Sequence, residues 1–191
     1  MAKIVFASNN EHKIKEFSKM FNDTVISLQD IGFEGDIEEK GETFFENAFI
    51  KAKTIHDFLK SKNLNYVVIA DDSGLCVNAL GGEPGAYSAR YHQDHNPKAN
   101  RKKLLEELKN KEDRSAYFEC CLVKYYPDGT YVSSVGRSEG YILEEEEGDT
   151  SFGYDCIFFS NELNKSFGVA SSEEKNRVSH RGRAVSNLLN L

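Results

Sequence analysis

The chain has 191 residues, of which 39% are apolar and 12% aromatic, and this is enough to bury a substantial core. Its 24 basic and 31 acidic side chains give a net charge of −7, which opposes broad electrostatic attachment to nucleic acid or to an anionic membrane. We therefore expect one domain over residues 1–191, or two lobes that share one cleft, with no clear linker and with no binding to nucleic acid or membrane.

The sequence also predicts a cytoplasmic location. No basic-then-apolar leader is visible, and the apolar runs are far shorter than the ~20 residues needed to span a bilayer. The cysteines form no C-x-x-C pair, which argues against a structural zinc site and a disulfide framework and favours reduced thiols. They are Cys76, Cys120, Cys121 and Cys156.

The first sixty residues predict strands alternating with helices. Lys3–Ala7 is a short apolar run, and after a polar turn the apolar residues of 14–21 recur with helical spacing. Thr24–Leu28 predicts a second strand. Thr43 and Glu46 fit a capping box at the start of another helix, in which the threonine oxygen and the glutamate carboxylate satisfy backbone amides.

The helix that follows the capping box has a clear apolar stripe. Its predicted core-facing members are Phe45, Ala48, Phe49, Ala52, Ile55 and Leu59. Lys51 and Lys53 are predicted to lie off this stripe, where a lysine is usually a solvated charge.

Asp71 and Asp72 are the most informative pair in the chain. They follow the apolar run Tyr66–Ala70 and precede Ser73-Gly74, so we expect a buried strand that ends in two carboxylates and a glycine turn. This places acidic oxygens at a sheet edge, where a hydrated divalent cation could bind. The alternative is an ordinary turn, because Asp, Ser and Gly are common after strands.

The second half predicts a helix, a hairpin and a final helix. Arg101–Lys109 has the pattern of a surface helix, and Ala116–Tyr126 with Thr130–Val135 predicts an antiparallel hairpin around Pro-Asp-Gly. Glu144–Glu147 is interpreted as a solvated loop, since like charges repel. The last helix is predicted over Arg183–Leu191.

Three further segments are more polar or more glycine-rich than packing requires. Ser8–Lys13 leads into a helix N-terminus whose amides suit a phosphate, although simple helix capping explains it equally. Phe152–Asp155 offers an aromatic face and a carboxylate, either for a nucleobase or for packing. His180 and Arg181 supply donors for an acceptor-rich ligand edge.

Six motifs in this order resemble the inosine triphosphate pyrophosphatase family, whose bacterial members are called dITP/XTP pyrophosphatases. They are Ser8-Asn9-Asn10 with Lys13, Gly41–Ala48, Ala70–Leu75, Ala79–Gly85 with Tyr87–Tyr91, Phe152–Asp155 and Ser179–Gly182. The resemblance extends over nearly the whole chain.

The resemblance implies an α/β protein, with a two-lobed fold around a long mixed β-sheet, flanking helices and a central substrate cleft. It also implies a homodimer that hydrolyses non-canonical purine nucleoside triphosphates (ITP, dITP and XTP) to the monophosphate and pyrophosphate. The implied cofactor is Mg²⁺, with Mn²⁺ as an alternative. The implied role is cleansing of the nucleotide pool.

The resemblance further assigns roles to residues. Asp72 is implied as the general base, supported by Asp71, and the metal is implied to bind Glu39 and Asp72, with Glu38 as the fallback for Glu39. The implied substrate-binding residues are Ser8, Asn9, Asn10, Glu11, His12, Lys13, Lys51, Ser73, Phe152, Gly153, Tyr154, Asp155, Lys175, His180 and Arg181.

The chain departs from the family pattern at Ser151 and Cys156, where relatives usually have glycine and proline. This departure bears on the stiffness of the loop and on base selectivity. Two other functions remain open from the residues: a pyrophosphatase for modified pyrimidine or methylated nucleotides, and a nucleotide-binding protein without catalysis.

Overall fold

The computed structural model describes residues 3–21, 25–149 and 152–191; Thr24 and Ser151, which enter two of the expectations above, lie outside these ranges. The strands are β1 (Ile4–Phe6), β2 (Val25–Ile26), β3 (Val67–Val77), β4 (Ser115–Tyr125), β5 (Tyr131–Ile142), β6 (Phe158–Ser160) and β7 (Lys165–Ser166). The helices are α1 (Glu11–Phe21), α2 (Phe44–Ser61), α3 (Pro97–Glu107), α4 (Ser172–Val178) and α5 (His180–Leu189).

The strands form one seven-stranded sheet in the order β2-β1-β3-β4-β5-β6-β7. The sheet is mixed, because β1 runs parallel to β2 and β3 whereas β6 runs antiparallel to β5 and β7. The predicted α/β class with a mixed sheet and flanking helices is thus confirmed. Within the described residues, no helix is both long enough and apolar enough to cross a membrane.

The chain divides into two compact units. Unit 1 comprises residues 1–72, 121–135 and 184–191, and unit 2 comprises residues 73–120 and 136–183. The expectation of a single domain over 1–191 stays a prediction.

Unit 1 packs α2 against the first strands. The capping box is present as predicted: Glu46 N donates to Thr43 Oγ1 (3.1 Å), and Thr43 N donates to Glu46 Oε2 (3.2 Å). The core of this unit contains Val5, Ala48, Ala52, Ile55, Leu59, Val68 and Val123.

The buried face of α2 differs from the predicted stripe in two respects. Phe45 is 39% exposed and Phe44 is buried instead, because the helix begins at Phe44 and the buried face runs from that residue. Lys51, expected to be a solvated charge, is only 6% exposed, since it lies one turn from both Asn47 and Ile55 on the same face.

The predicted end of β3 at Ala70 is wrong. The strand continues through Asp71-Asp72-Ser73-Gly74 to Val77 without a turn. Carboxylates can remain in a buried strand when they are paired, and Asp71 and Asp72 have partners on α1 and α2. The two aspartates therefore lie within a strand of the sheet and not in a turn at its edge.

Unit 2 has its own core, formed where β3, β4, β5 and β6 meet α3. This core includes Leu75, Leu104, Leu108, Phe118, Ile142, Phe158 and Phe167. The hairpin is confirmed, with β4 and β5 adjacent and joined at Gly129 (φ +91°), although β5 extends beyond the predicted Val135 to Ile142.

Four elements near the C-terminus differ from those expected. Strands β6 and β7 and helix α4 were not predicted, because each is at most seven residues long and too short for a periodic pattern. The last helix begins at His180 and not at Arg183, so His180 and Arg181 lie in its first turn.

Candidate active site

In unit 1, Asp71 and Asp72 form a cluster of charged side chains with Lys13, Lys51 and Glu39. Lys13 Nζ lies 2.8 Å from Asp71 Oδ2, and Lys51 Nζ lies 2.7 Å from Glu39 Oε1. Asp71 is fully buried and Asp72 is 6% exposed. The structure thus brings together four of the residues predicted for catalysis and phosphate binding with the predicted metal-binding glutamate.

The cluster changes the acidity of Asp72. Burial raises the pKa of Asp72 to about 6, although the cations Lys51 and Lys13 act in the opposite direction. The neighbouring charge of Glu39 raises the same pKa, and a hydrogen bond from Asn47 Nδ2 (3.0 Å) lowers it. A carboxylate with a pKa near neutrality is suited to accept a proton during a reaction.

Lys51 remains a cation in this environment. Burial by itself would lower the pKa of Lys51, but the carboxylates of Asp71, Asp72 and Glu39 outweigh it and raise that pKa. The buried ammonium therefore supplies a fixed positive charge next to the carboxylates.

The segment Ser8–Lys13 serves as the cap of α1. Asn10 Oδ1 accepts hydrogen bonds from the amides of His12 (3.0 Å) and Lys13 (3.2 Å), and Ser8 Oγ accepts from the Asn10 amide (3.1 Å). Glu11 and His12 are exposed. The capping alternative is thus realised, and Lys13 Nζ reaches Asp71 Oδ2 at 2.8 Å.

Asn9 connects the same segment to the loop that contains Gly35, Asp36 and Glu39. Its Nδ2 donates to the carbonyl of Gly35 (3.3 Å) and to Asp36 Oδ1 (3.2 Å). Because Glu39 lies three residues beyond Asp36, these bonds tie the start of α1 to the loop that carries Glu39.

The residues fit a magnesium ion held by few protein ligands. Mg²⁺ commonly binds one or two carboxylates, with water and substrate phosphates completing its coordination, and Asp72 and Glu39 are close enough for the charge of one to affect the pKa of the other. Glu38, the alternative to Glu39, is instead exposed and pairs with Lys40. Over residues 3–21, 25–149 and 152–191, no group of three or more His, Cys, Asp or Glu side chains is placed to hold a metal.

A second set of predicted residues lies in unit 2, around Phe152. The guanidinium of Arg181 is 5.5 Å and the Lys175 ammonium 5.8 Å from the centre of the Phe152 ring. Lys175 also pairs with Asp155 (2.6 Å), and Arg181 Nη2 donates to Ser73 Oγ (3.3 Å). The structure therefore places an aromatic face beside two cations and a carboxylate.

His180 and Tyr154 are both buried. The His180 ring stacks on Phe118 with the centroids 4.8 Å apart, and His180 is 3% exposed. Tyr154 is 4% exposed, and its hydroxyl donates to the carbonyl of Ser88 (2.7 Å).

Sequence reasoning missed Asn47 and Arg101. Asn47 donates to Asp72 and accepts from the Gly41 amide (2.8 Å), and Arg101 donates to the carbonyl of Gly153 (2.8 Å). Helical spacing could have found both, since Asn47 precedes Lys51 by one turn and Arg101 shares a face with Leu104. Arg101 was expected on a surface helix but is only 4% exposed.

Comparison with known proteins gives matches along almost the entire chain. Residues 4–191 match the Ham1 family. A dITP/XTP pyrophosphatase of Clostridium perfringens is 47% identical, with the alignment covering 98% of this chain and 96% of that protein. The relatives carry the name that the motifs predicted, so the resemblance drawn from the sequence is confirmed.

Solved structures agree with the sequence matches. The Ham1 protein of Staphylococcus aureus has a TM-score of 0.87 and 42% identity, covering 98% of this chain and 96% of that one. A HAM1 protein from Coxiella burnetii has a TM-score of 0.87 and 36% identity, covering 100% and 98%. With its motifs, fold and sequence all in agreement, this chain belongs to the Ham1 family.

Proposed function

We propose that this chain is a Mg²⁺-dependent nucleoside triphosphate pyrophosphatase that hydrolyses ITP, dITP and XTP to the monophosphate and pyrophosphate. The observation that carries the proposal is the cluster in which Lys13 pairs with Asp71 (2.8 Å), Lys51 pairs with Glu39 (2.7 Å) and Asn47 donates to Asp72 (3.0 Å). The name dITP/XTP pyrophosphatase borne by the relatives supports the substrate class.

In the proposed reaction, the cluster around Asp72 acts on the triphosphate. Lys13 and Lys51 neutralise charge on the phosphate oxygens, with Ser8 and Asn10 as further contacts. Asp72 accepts a proton from a water that attacks the α-phosphorus, and the bond from this phosphorus to the oxygen bridging to the β-phosphorus breaks. The electron pair leaves with pyrophosphate.

Glu39 and Asp72 are proposed to hold the metal, with Asp71 keeping Lys13 in place through its 2.8 Å ion pair. When bound, Mg²⁺ or Mn²⁺ would withdraw charge from the phosphates. Lys13 and Lys51 lie beside the carboxylates in the chain itself, paired with Asp71 and Glu39.

The residues around Phe152 are proposed to recognise the purine base and adjoining parts of the nucleotide. The face of Phe152 would stack on the base, and donors from Arg181, His180 and Lys175 would face the 6-keto oxygen of inosine or xanthine. Adenine presents an amino donor at this position, and leaving a buried donor unpaired costs about 1–3 kcal/mol. Gly153, Tyr154, Asp155 and Ser73 would shape this part of the site.

The proposal extends to the setting of the enzyme. A cytoplasmic homodimer that removes deaminated purine nucleotides before polymerases use them fits the substrate class. Sedimentation equilibrium would measure the oligomeric state.

The test is pyrophosphate release from ITP, dITP, XTP, GTP and ATP, each with Mg²⁺, with Mn²⁺ and with a chelator. We expect rapid metal-dependent cleavage of ITP, dITP and XTP and little cleavage of ATP. The GTP rate shows whether the 2-amino group of guanine is excluded. Binding of ITP without pyrophosphate release would overturn the proposal in favour of a nucleotide-binding protein, and equal rates for all purines would overturn the assigned base preference.

A further inference from the structure

Arg101 connects three segments of unit 2 through one guanidinium. It lies on α3 and is 4% exposed. Its Nη1 donates to the carbonyl of Gly153 (2.8 Å), and its Nε donates to Glu146 Oε1 (2.7 Å). The guanidinium thereby links helix α3, the segment Glu144–Glu147 and the turn that contains Phe152.

The turn needs support from outside. Gly153 has a φ of +53°, in the left-handed region that favours glycine. The bonds within the turn are short-range, from Asp155 N to Phe152 O (3.2 Å) and from Ile157 N to Tyr154 O (3.0 Å). Neither of these bonds uses the Gly153 carbonyl, whose direction is fixed by Arg101.

A second anchor holds the other side of the turn. Tyr154 donates its hydroxyl hydrogen to the carbonyl of Ser88, while Ser88 Oγ accepts from the Leu75 amide (2.9 Å). Arg101 and Tyr154 thus restrain the turn at successive residues. Phe152 and Asp155, the residues that flank these anchors, are the ones assigned to the base.

We propose that Arg101 is a positioning residue for base recognition, oriented by Glu146 and acting through the carbonyl of Gly153. This inference rests on the proposed function. Arg101 need not contact the nucleotide, because it fixes the turn that presents the ring of Phe152 and the carboxylate of Asp155.

The geometry requires an arginine. A guanidinium is planar and donates in fixed directions, so Nε and Nη1 can serve Glu146 and Gly153 together. A lysine carries one compact ammonium on a flexible stem and does not reproduce this fork. Lysine at position 101 therefore tests geometry with the charge retained.

The experiment compares R101M, R101K and E146Q with the matched control R114M. Arg114 is also an arginine of unit 2 that donates to backbone carbonyls, those of Leu108 (3.2 Å), Ile142 (2.7 Å) and Leu143 (2.7 Å). None of these carbonyls belongs to the Phe152–Asp155 turn. The measurements are kcat and KM for ITP and ATP, and amide hydrogen exchange of residues 152–157.

For R101M and R101K we expect the KM for ITP to rise about tenfold and kcat to change by less than about twofold. These values are expected because each variant loses a charge-assisted hydrogen bond that aids binding of the substrate. The ratio of kcat/KM for ITP to that for ATP should fall, and exchange of residues 152–157 should accelerate. E146Q should change KM by only about threefold, because the guanidinium still reaches Gly153. R114M should leave the ITP to ATP ratio unchanged even where it lowers Tm.

Two results would overturn the inference. One is an unchanged ratio of kcat/KM for ITP to that for ATP, together with unchanged hydrogen exchange, in R101K. Because R101K keeps the charge, it provides this test even where R101M fails to fold. The other is an equal loss of selectivity in R114M, which would indicate a general loss of stability. Wild-type protein that cleaves neither ITP nor XTP would instead refute the proposed function, and hydrogen exchange would still report whether Arg101 holds the turn.

Discussion

At the scale of single residues, the burial of Asp72 lowers the stability of the fold at neutral pH and gives its carboxylate a pKa suited to accepting a proton. Burial raises the pKa of Asp72 to about 6, so the folded protein holds a proton there more tightly than the unfolded chain does. The stability from this group is therefore fully present below the unfolded pKa and is lost as the pH rises through about 6. A charged Asp72 at neutral pH costs the fold about 3 kcal/mol.

Asp72→Asn should abolish turnover and stabilise the metal-free protein above pH 7. The amide cannot accept the proton from water, and it removes the cost of a buried charge. We expect the free energy of unfolding to rise by up to about 3 kcal/mol at pH 7 to 8 and to change little below pH 4. Denaturant unfolding at several pH values measures this difference.

Asp57→Asn is the control for this variant, because Asp57 is an exposed aspartate of α2. It should retain wild-type activity and pH dependence. Full activity of Asp72→Asn would refute the assignment of the general base.

Lys51→Met should shift the acidic limb of the pH profile upward. The positive charge of Lys51 lowers the pKa of Asp72, so its removal leaves Asp72 protonated to a higher pH. We expect the limb to shift upward by about one pH unit, which by itself lowers kcat/KM about tenfold near pH 5 and about twofold at pH 7. The measurement is kcat/KM for ITP from pH 5 to pH 9.

Lys53→Met is the matched control, since Lys53 lies two residues further along α2 and pairs with the exposed Asp57. Its profile should follow the wild type. An unshifted limb in Lys51→Met would contradict the coupling between Lys51 and Asp72.

At the scale of elements, α2 carries two side chains of the cluster around Asp72 and the cap that fixes its start. Asn47 and Lys51 project from successive turns of this helix toward the carboxylates. Gly41 lies between Glu39 and the start of α2, and its amide donates to Asn47 Oδ1. The local sequence signal of the capping box therefore sets the register of residues that act on Asp72.

Thr43→Ala should destabilise the protein by about 1 kcal/mol, because the Glu46 amide loses its acceptor. For a chain of this length, the expected fall in Tm is about 2–4 °C. Differential scanning calorimetry makes the measurement. Thr43→Ser keeps the hydroxyl and should restore most of the Tm, whereas equal losses in both variants would show that the cap does not contribute.

At the scale of the whole molecule, metal binding and folding should be largely independent. Glu39 and Asp72 have partners in Lys51 and Asn47 within the protein itself, so they are not left as unpaired buried charges when metal is absent. The fold therefore does not depend on the ion.

A chelator should abolish pyrophosphate release from ITP and lower Tm by less than about 2 °C, since weak binding to the free protein stabilises it little. Parallel thermal scans and activity assays, with Mg²⁺ restored afterwards as the control for reversibility, make the comparison. A fall in Tm of 10 °C or more would contradict this independence, on a scale of about 2–4 °C per kcal/mol.

The features that depend on near neighbours in the chain were predictable from the residues alone. The strand and helix near the N-terminus, the capping box at Thr43 and the hairpin at Gly129 follow from local periodicity and turn chemistry. The ordered motifs also identified the family and the residues Asp71, Asp72, Lys13 and Glu39. These features need no knowledge of what lies distant in the chain.

Burial of the polar groups depended on contacts between distant segments of the chain. Lys13 meets Asp71 across 58 positions, Asn47 meets Asp72 across 25, and Arg101 meets Gly153 across 52. These partnerships let β3 continue through two aspartates and bury Lys51 and Arg101, against the local expectation of a turn and solvated charges. Burial of a charge depends on a partner that compensates for lost hydration, and the folded chain supplies that partner from distant positions.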